Sequence, residues 1–192
     1  MKKNVILNIA SIICLFFCAV AIISLFVTTL ALIHWHFNPN FYADFLLVND
    51  GPHPTNFLGY ERKETWTTAE TLEIKQFALN NISHIPLYLI YLQSTAIHLI
   101  VFFIMKEFLT IIKSVRLVQS FRTNNITSFR KIGKYLFLYF LLTSYYIVIA
   151  TQGEFYGFYL HLTPLVLMLI AFIMAEIFKE GNIILEENQL TV

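Results

Sequence analysis

The stretch VILNIASIICLFFCAVAIISLFVTTLALI, Val5–Ile33, contains no charged residue and follows Lys2 and Lys3. At 1.5 Å per residue a helix of this length reaches about 43 Å, against an apolar bilayer core of about 30 Å. It reads as a transmembrane helix that tilts or overhangs. A cleaved secretory signal is the rival, because it too begins with basic residues and an apolar run. This run is too long for one, and its Ala19-Val20-Ala21 triplet is embedded in further apolar sequence. No lipoprotein box is present, since Phe17 precedes Cys18 where a small residue is required.

The rest of the chain fits that reading. Of 192 residues 57% are hydrophobic and 13% charged, and the mean hydropathy is +0.66. A soluble domain of this size could not bury so much apolar surface. A net charge of +1 gives no sign of direct nucleic-acid binding. Cys14 and Cys18 are the two cysteines, both inside the first apolar run, so no disulfide framework is expected.

Outward from Val5–Ile33 the pattern predicts an all-α, polytopic membrane protein, a single membrane domain over residues 1–192. It is a four-transmembrane-helix bundle with a ~50-residue extracytoplasmic loop between helices 1 and 2. That loop spans residues 34–84 and carries turn chemistry at Asn38-Pro39-Asn40 and Asn49-Asp50-Gly51-Pro52. Within it, Thr67-x-x-Glu70 matches a capping box, and Ile74, Phe77 and Ala78 form one apolar stripe, predicting a short surface helix over 67–79. The second span covers 85–105, with Pro86 in its first turn and an amphipathic, basic extension to about residue 121. Thr123-Asn124-Asn125 breaks that extension. The third span is expected over 132–150 and the fourth over 155–178, joined by Thr151-Gln152-Gly153. Pro164 should kink the fourth near Leu160, and Gly181 should end it, leaving a tail over 179–192.

Charge sets the expected orientation. With the N-terminus inside, ten of the thirteen lysines and arginines are cytoplasmic, from Lys2 and Lys3 through Lys106, Lys113 and Arg130 to Lys179. Arg62, Lys63 and Lys75 lie outside. The positive-inside bias therefore predicts a multi-pass membrane protein with both termini in the cytoplasm.

Ionisable groups within spans are the natural functional candidates, because burying them in lipid is costly. His98 in the second span and His161 in the fourth are the nearest to mid-membrane. Their depths differ by about 13 Å at 1.5 Å per residue, too far for one metal to bridge. A neutral histidine hydrogen-bonded to Gln93, Ser94, Thr143 or a tyrosine is the cheaper explanation. Outside, His34-x-His36, His53 and His84 could converge on a metal, but the alternation of the first pair suits a strand and no accompanying ligand motif exists. Interfacial imidazoles beside Trp35 and Phe37 are the ordinary alternative. Glu176 lies three residues before Lys179, the spacing of a helical ion pair, and Lys106 and Glu107 could join that cluster. The basic stretch with Lys113, Arg116, Arg122, Arg130, Lys131 and Lys134 is a topology determinant and an attractor of anionic lipid. With Glu186 and Glu187 of the tail, it could also contact a cytosolic partner. No phosphate loop, nucleophile elbow or zincin motif is present, so no enzyme activity, cofactor, catalytic residue or metal is expected.

Two segments have a recognisable character: Phe121-Arg-Thr-Asn-Asn-Ile-Thr-Ser-Phe-Arg-Lys-Ile-Gly133, and Ala175-Glu-Ile-Phe-Lys-Glu-Gly181 followed by Leu185-Glu-Glu-Asn-Gln-Leu-Thr-Val192. They resemble the bacterial membrane-protein family called domain of unknown function 2975, DUF2975. That resemblance implies about four spans, a basic loop leading into Arg-Lys-Ile-Gly, and an acidic tail ending Leu-Thr-aliphatic. The Gly-x-Pro-Phe often found before the third span is replaced here by Thr123-Asn-Asn-Ile-Thr127. Members are often encoded beside a small helix-turn-helix regulator, which implies a membrane-bound sensor or anchor for it. The functional expectation is an integral membrane protein with a regulatory or sensory role, its inner loop and tail meeting such a regulator. The alternative is a small transporter or permeation subunit using His98, His161, Glu154 and Pro164. Sequence leaves the oligomeric state open.

Overall fold

The computed structural model describes residues 5–47, 58–65, 77–117, 123–151 and 153–190. Among them the chain forms four α-helices, α1 (Val5–Phe37), α2 (His84–Arg116), α3 (Thr123–Thr143) and α4 (Leu162–Leu190). Three strands accompany them, β1 (Leu58–Thr65), β2 (Tyr145–Ala150) and β3 (Gly153–Leu160). Helices over Val5–Phe37, His84–Arg116 and Leu162–Asn188 are long and apolar enough to cross a membrane. The protein is thus mostly helical with three apolar candidate spans, but it is not all-α.

The sheet corrects the expected third and fourth spans. Residues 145–150 and 153–160 pair as an antiparallel hairpin, and β1 adds to its far side in the order β1-β3-β2. Tyr145-Tyr-Ile-Val-Ile-Ala150 is an aromatic and β-branched run. In β3, Gly153, Phe155, Gly157 and Tyr159 are buried while Tyr156 and Phe158 between them are exposed, the period of a strand with one covered face. Helix α3 starts at Thr123, nine residues before the expected span. Asn125, Ile126, Ser128, Phe129, Ile132 and Gly133 form a buried face at helical spacing.

Helix α4 differs at both ends from expectation. Pro164 is its third residue, inside the first turn where a missing N–H costs nothing, so no kink arises at Leu160. Gly181 does not end it either. The helix runs on to Leu190, and Asn182 Nδ2 donates to Glu186 Oε1 at 2.7 Å across one turn. At the other end of the chain, α1 reaches Phe37, which makes His34 and His36 last-turn helical residues and not strand residues. The helix stops where Asn38, in front of Pro39, adopts φ −145° and ψ 74°. Of the expected surface helix, residues 67–76 lie outside the described residues. Phe77 and Ala78 are buried, and Leu79–Asn81 form a 3-10 turn.

The chain folds into two compact units. One comprises Met1–Ile23, His98–Phe140 and Thr163–Val192; the other comprises Ser24–Ile97 and Leu141–Leu162. In the second unit a core of Trp35, Tyr42, Phe77, Ile82, Leu87, Val148, Ala150 and Phe155 lies on one face of the sheet. Its polar edges are satisfied locally. Trp35 Nε1 donates to Leu79 O at 2.9 Å, and Tyr146 Oη donates to Leu47 O at 2.9 Å. Gln93 Nε2 donates to Leu142 O at 2.6 Å and Tyr145 O at 2.9 Å, serving carbonyls at the point where α3 gives way to β2. Bridges Leu46↔Ala78 and Ile82↔Ala150 tie the intervening chain to this core.

In the first unit, α1 buries only small side chains, Cys14, Cys18 and Ala21, while Ile6, Phe16 and Ile23 are exposed. Wide apolar exposure on a long helix is what lipid contact requires. Both cysteines are free.

Candidate functional site

A polar constellation lies in the first unit, where α3 meets the C-terminal half of α2 and the middle of α4. Glu107 of α2 accepts a hydrogen bond from Ser128 Oγ at 2.7 Å and pairs with Lys131 Nζ at 3.1 Å. Its side chain is only 16% exposed, so these two donors replace water for a carboxylate that would otherwise be poorly solvated. Glu176 of α4 pairs with Arg130 at 2.8 Å and with Lys179 at 3.3 Å. The Glu176–Lys179 pair is the one its spacing predicts. The Arg130 contact from α3 is not visible in any local pattern.

Beneath these pairs the packing is tight. Ile132 is buried, Phe129 and Phe178 meet with ring centroids 5.1 Å apart, and Phe103 stacks on Tyr135 at 5.9 Å. A Cβ built on Gly133 would come within 2.8 Å of Phe172 Cζ and 2.9 Å of its Cε1. The position is held by the absence of a side chain. Each residue of Arg130-Lys131-Ile132-Gly133 thus has its own contact: a pair to α4, a pair to α2, a core side chain, and a close approach to Phe172 of α4.

The remaining charged candidates are more peripheral. Arg116 donates to Asn8 Oδ1 at 2.7 Å, Lys113 and Lys134 are exposed, and Glu186 is engaged by Asn182. Glu187 is exposed; Arg122 lies outside the described residues.

Both histidine candidates are half-buried. His98 is in α2, as expected. His161 is not mid-helix: it is the single residue between β3 and α4, which moves it from the interior of a span to the end of one. The outer histidines are absorbed by aromatic contacts. His34 Nδ1 lies 3.1 Å from Tyr42 Oη, His36 Nε2 lies 2.7 Å from Tyr88 Oη, and His84 meets the Trp35 ring edge-on at 5.3 Å. His53 lies outside the described residues. Among the described residues, no group of three His, Cys, Asp or Glu side chains could hold a metal ion.

The two segments that suggest a family, one ending Arg130-Lys131-Ile132-Gly133 and the other beginning Ala175-Glu176, face each other in this constellation. The family model described as a protein of unknown function (DUF2975) matches residues 68–192. The chain belongs to this family. No curated protein and no solved structure matches it. In this DUF2975 protein the residues that carry the resemblance, Arg130 and Glu176 among them, make cross-helix contacts. Ser128 escaped sequence reading because it precedes the expected third span. The apolar spacing of Ile126, Phe129 and Ile132 was the available signal that α3 already runs through it.

Proposed function

We propose that this DUF2975 protein is a regulatory or sensory protein of the bacterial cytoplasmic membrane, not an enzyme. In this reading it crosses the bilayer four times with both termini in the cytoplasm, and its cytoplasmic end contacts a cytosolic partner such as a small helix-turn-helix regulator. The pairing of β1 with β3 supports four crossings. It joins the α1–α2 connection to the α3–α4 connection, so both belong on one side of the bilayer. Helix α2 leaves that side, and only α3 can return the chain to it. Its 21 residues reach about 31 Å at 1.5 Å per residue, with Arg130 and Lys131 in the half nearer the cytoplasm and Lys134 beside the midpoint, where their stems can reach toward the surface. Within its polar half, Ser128 and Lys131 are met by Glu107 and Arg130 by Glu176. Lysine and arginine bias supports the inward orientation of the termini.

The observation that carries the regulatory reading is the C-terminal extension of α4. Past Lys179 the helix continues for about 16 Å with Ile183, Ile184 and Leu185 exposed beside Glu186 and Glu187. An acidic helix with apolar side chains on its surface suits a groove on a protein that carries basic residues. The test is a deletion strain complemented with the full chain or with a chain truncated after Glu180, both confirmed in the membrane. The full chain should restore the transcript profile and the truncation should not. An unchanged profile on deletion, or full restoration by the truncation, contradicts the reading.

A further inference from the structure

The face of the sheet turned away from the core carries rows of side chains fixed by strand register. Leu58 pairs with Leu160, and Tyr60, Phe158 and Tyr145 stand in one row across all three strands. Arg62, Tyr156 and Ile147 form the next, and Glu64, Glu154 and Ile149 the last. Residues directly opposite in a ladder point to the same face, and so do residues two apart in a strand. Tyr60 is 65% exposed, Phe158 46% and Tyr145 44%, which is unusual for three adjacent aromatic residues on one surface. The opposite face holds Phe155, Val148, Ala150 and Tyr159, all buried.

Polarity changes steadily along this outer face. Its charged end holds Arg62 paired with Glu64, and Glu154 accepting from Tyr156 Oη at 2.7 Å. The apolar end adjoins the helices: Ser144 alone separates α3 from β2, and His161 alone separates β3 from α4. At about 3.4 Å per residue, Glu154 is about 20 Å from Leu160 along the strand, so successive rows lie about 7 Å apart. The same compact unit includes the ends of α1 and α2, with Phe26, Leu30, Ile85 and Leu89 exposed. Apolar, then aromatic, then charged is the order in which a bilayer passes from acyl chains through headgroups to water.

We propose that this face is a membrane-surface anchor. The sheet lies against the outer leaflet with Tyr60, Phe158 and Tyr145 at the headgroup–acyl boundary, and the Arg62–Glu64 and Glu154 end in water. The occupant is the lipid surface itself. Continuity with the spanning helices through single-residue links and the polarity gradient both favour it over a second copy or a peptide.

The test uses the full chain carrying Cys14→Ala and Cys18→Ala, reconstituted in phosphatidylethanolamine–phosphatidylglycerol vesicles. Spin labels are placed singly at Phe158→Cys, Tyr145→Cys, Tyr156→Cys and Glu154→Cys, with Phe26→Cys as the lipid reference. Tyr145→Cys reports the same row if Phe158→Cys does not fold. Collision with oxygen should exceed collision with a water-soluble nickel chelate several-fold at 158 and 145. The ratio should fall at 156 and favour the chelate at 154. Chelate-accessible labels at 158 and 145 overturn the proposal. Labels there shielded from both reagents also overturn it, by assigning the face to a protein contact. The inference rests on the membrane-spanning reading, and the reference label separates the two: chelate access at Phe26→Cys would remove that reading, whereas lipid access there with water at 158 removes only the anchor.

Discussion

The Arg130 guanidinium of α3 lies 2.8 Å from the Glu176 carboxylate of α4, joining the two sequence segments on which the family resemblance rests. Both side chains are about half exposed. Exposed pairs contribute little to stability on their own, so the pair is a means of registering two helices more than of holding them together. Arg130→Glu or Glu176→Arg alone should lower stability slightly through like-charge contact, and the exchange of both should restore part of it, since an arginine at 176 still faces Lys179. Thermal unfolding in detergent for the three variants and the parent chain checks this. Equal values for all four would remove the pair from any structural role.

Glu107 should matter more. Its carboxylate is mostly buried and accepts from Ser128 and Lys131. Glu107→Ala leaves the Ser128 hydroxyl buried without that acceptor, which costs about 1–3 kcal/mol, whereas Glu107→Gln keeps an acceptor and costs less. Denaturant titration of the two variants should rank them in that order.

Gly133 tests the closeness of α3 to α4. A Leu there must displace the Phe172 ring, 2.8 Å from where its Cβ would be built. Overpacking of this kind costs about 1–3 kcal/mol. Phe172→Ala in the same chain should recover most of the loss. No loss from Gly133→Leu alone would show that the ring moves freely.

The long apolar helices were legible in the sequence, since nothing but α1 suits an uncharged run such as Val5–Ile33. So were Pro86 in the first turn of α2 and the Glu176–Lys179 pair. The hairpin was not. A short apolar run such as Tyr145–Ala150 has no period that separates a covered strand from a helix segment. Strand-favouring Tyr, Ile and Val on one side of Thr151-Gln152-Gly153, and Phe, Tyr and Gly alternating on the other, were the available signals. Pro164 as a helix start was a third. The β1–β3 partnership joins residues about a hundred positions apart, and no local pattern encodes it. The cross-helix partners of Arg130 and Lys131 were hidden for the same reason.

Tyr146 gives a pH prediction. Burial pushes its phenol up to about 12 from an ordinary value near 10, and its hydroxyl donates to Leu47 O. The folded state thus keeps this proton where the unfolded state has lost it. The stabilisation is complete below pH 10 and is lost as pH rises from 10 to 12, a change on the order of 2 kcal/mol. Tyr146→Phe should flatten the alkaline fall in thermal stability over that window. An identical fall in the variant would count against a buried phenol.

The proposal that most needs testing is that the chain crosses the bilayer four times, with the hairpin outside and the far end of α4 in the cytoplasm. The most direct measurement is labelling of single cysteines in intact cells with a membrane-impermeant maleimide, in the chain lacking Cys14 and Cys18. Thr151→Cys, at the tip of the hairpin, should react from outside, and Asn188→Cys in α4 should react only after the membrane is opened. Labelling of both positions from the same side would contradict the account.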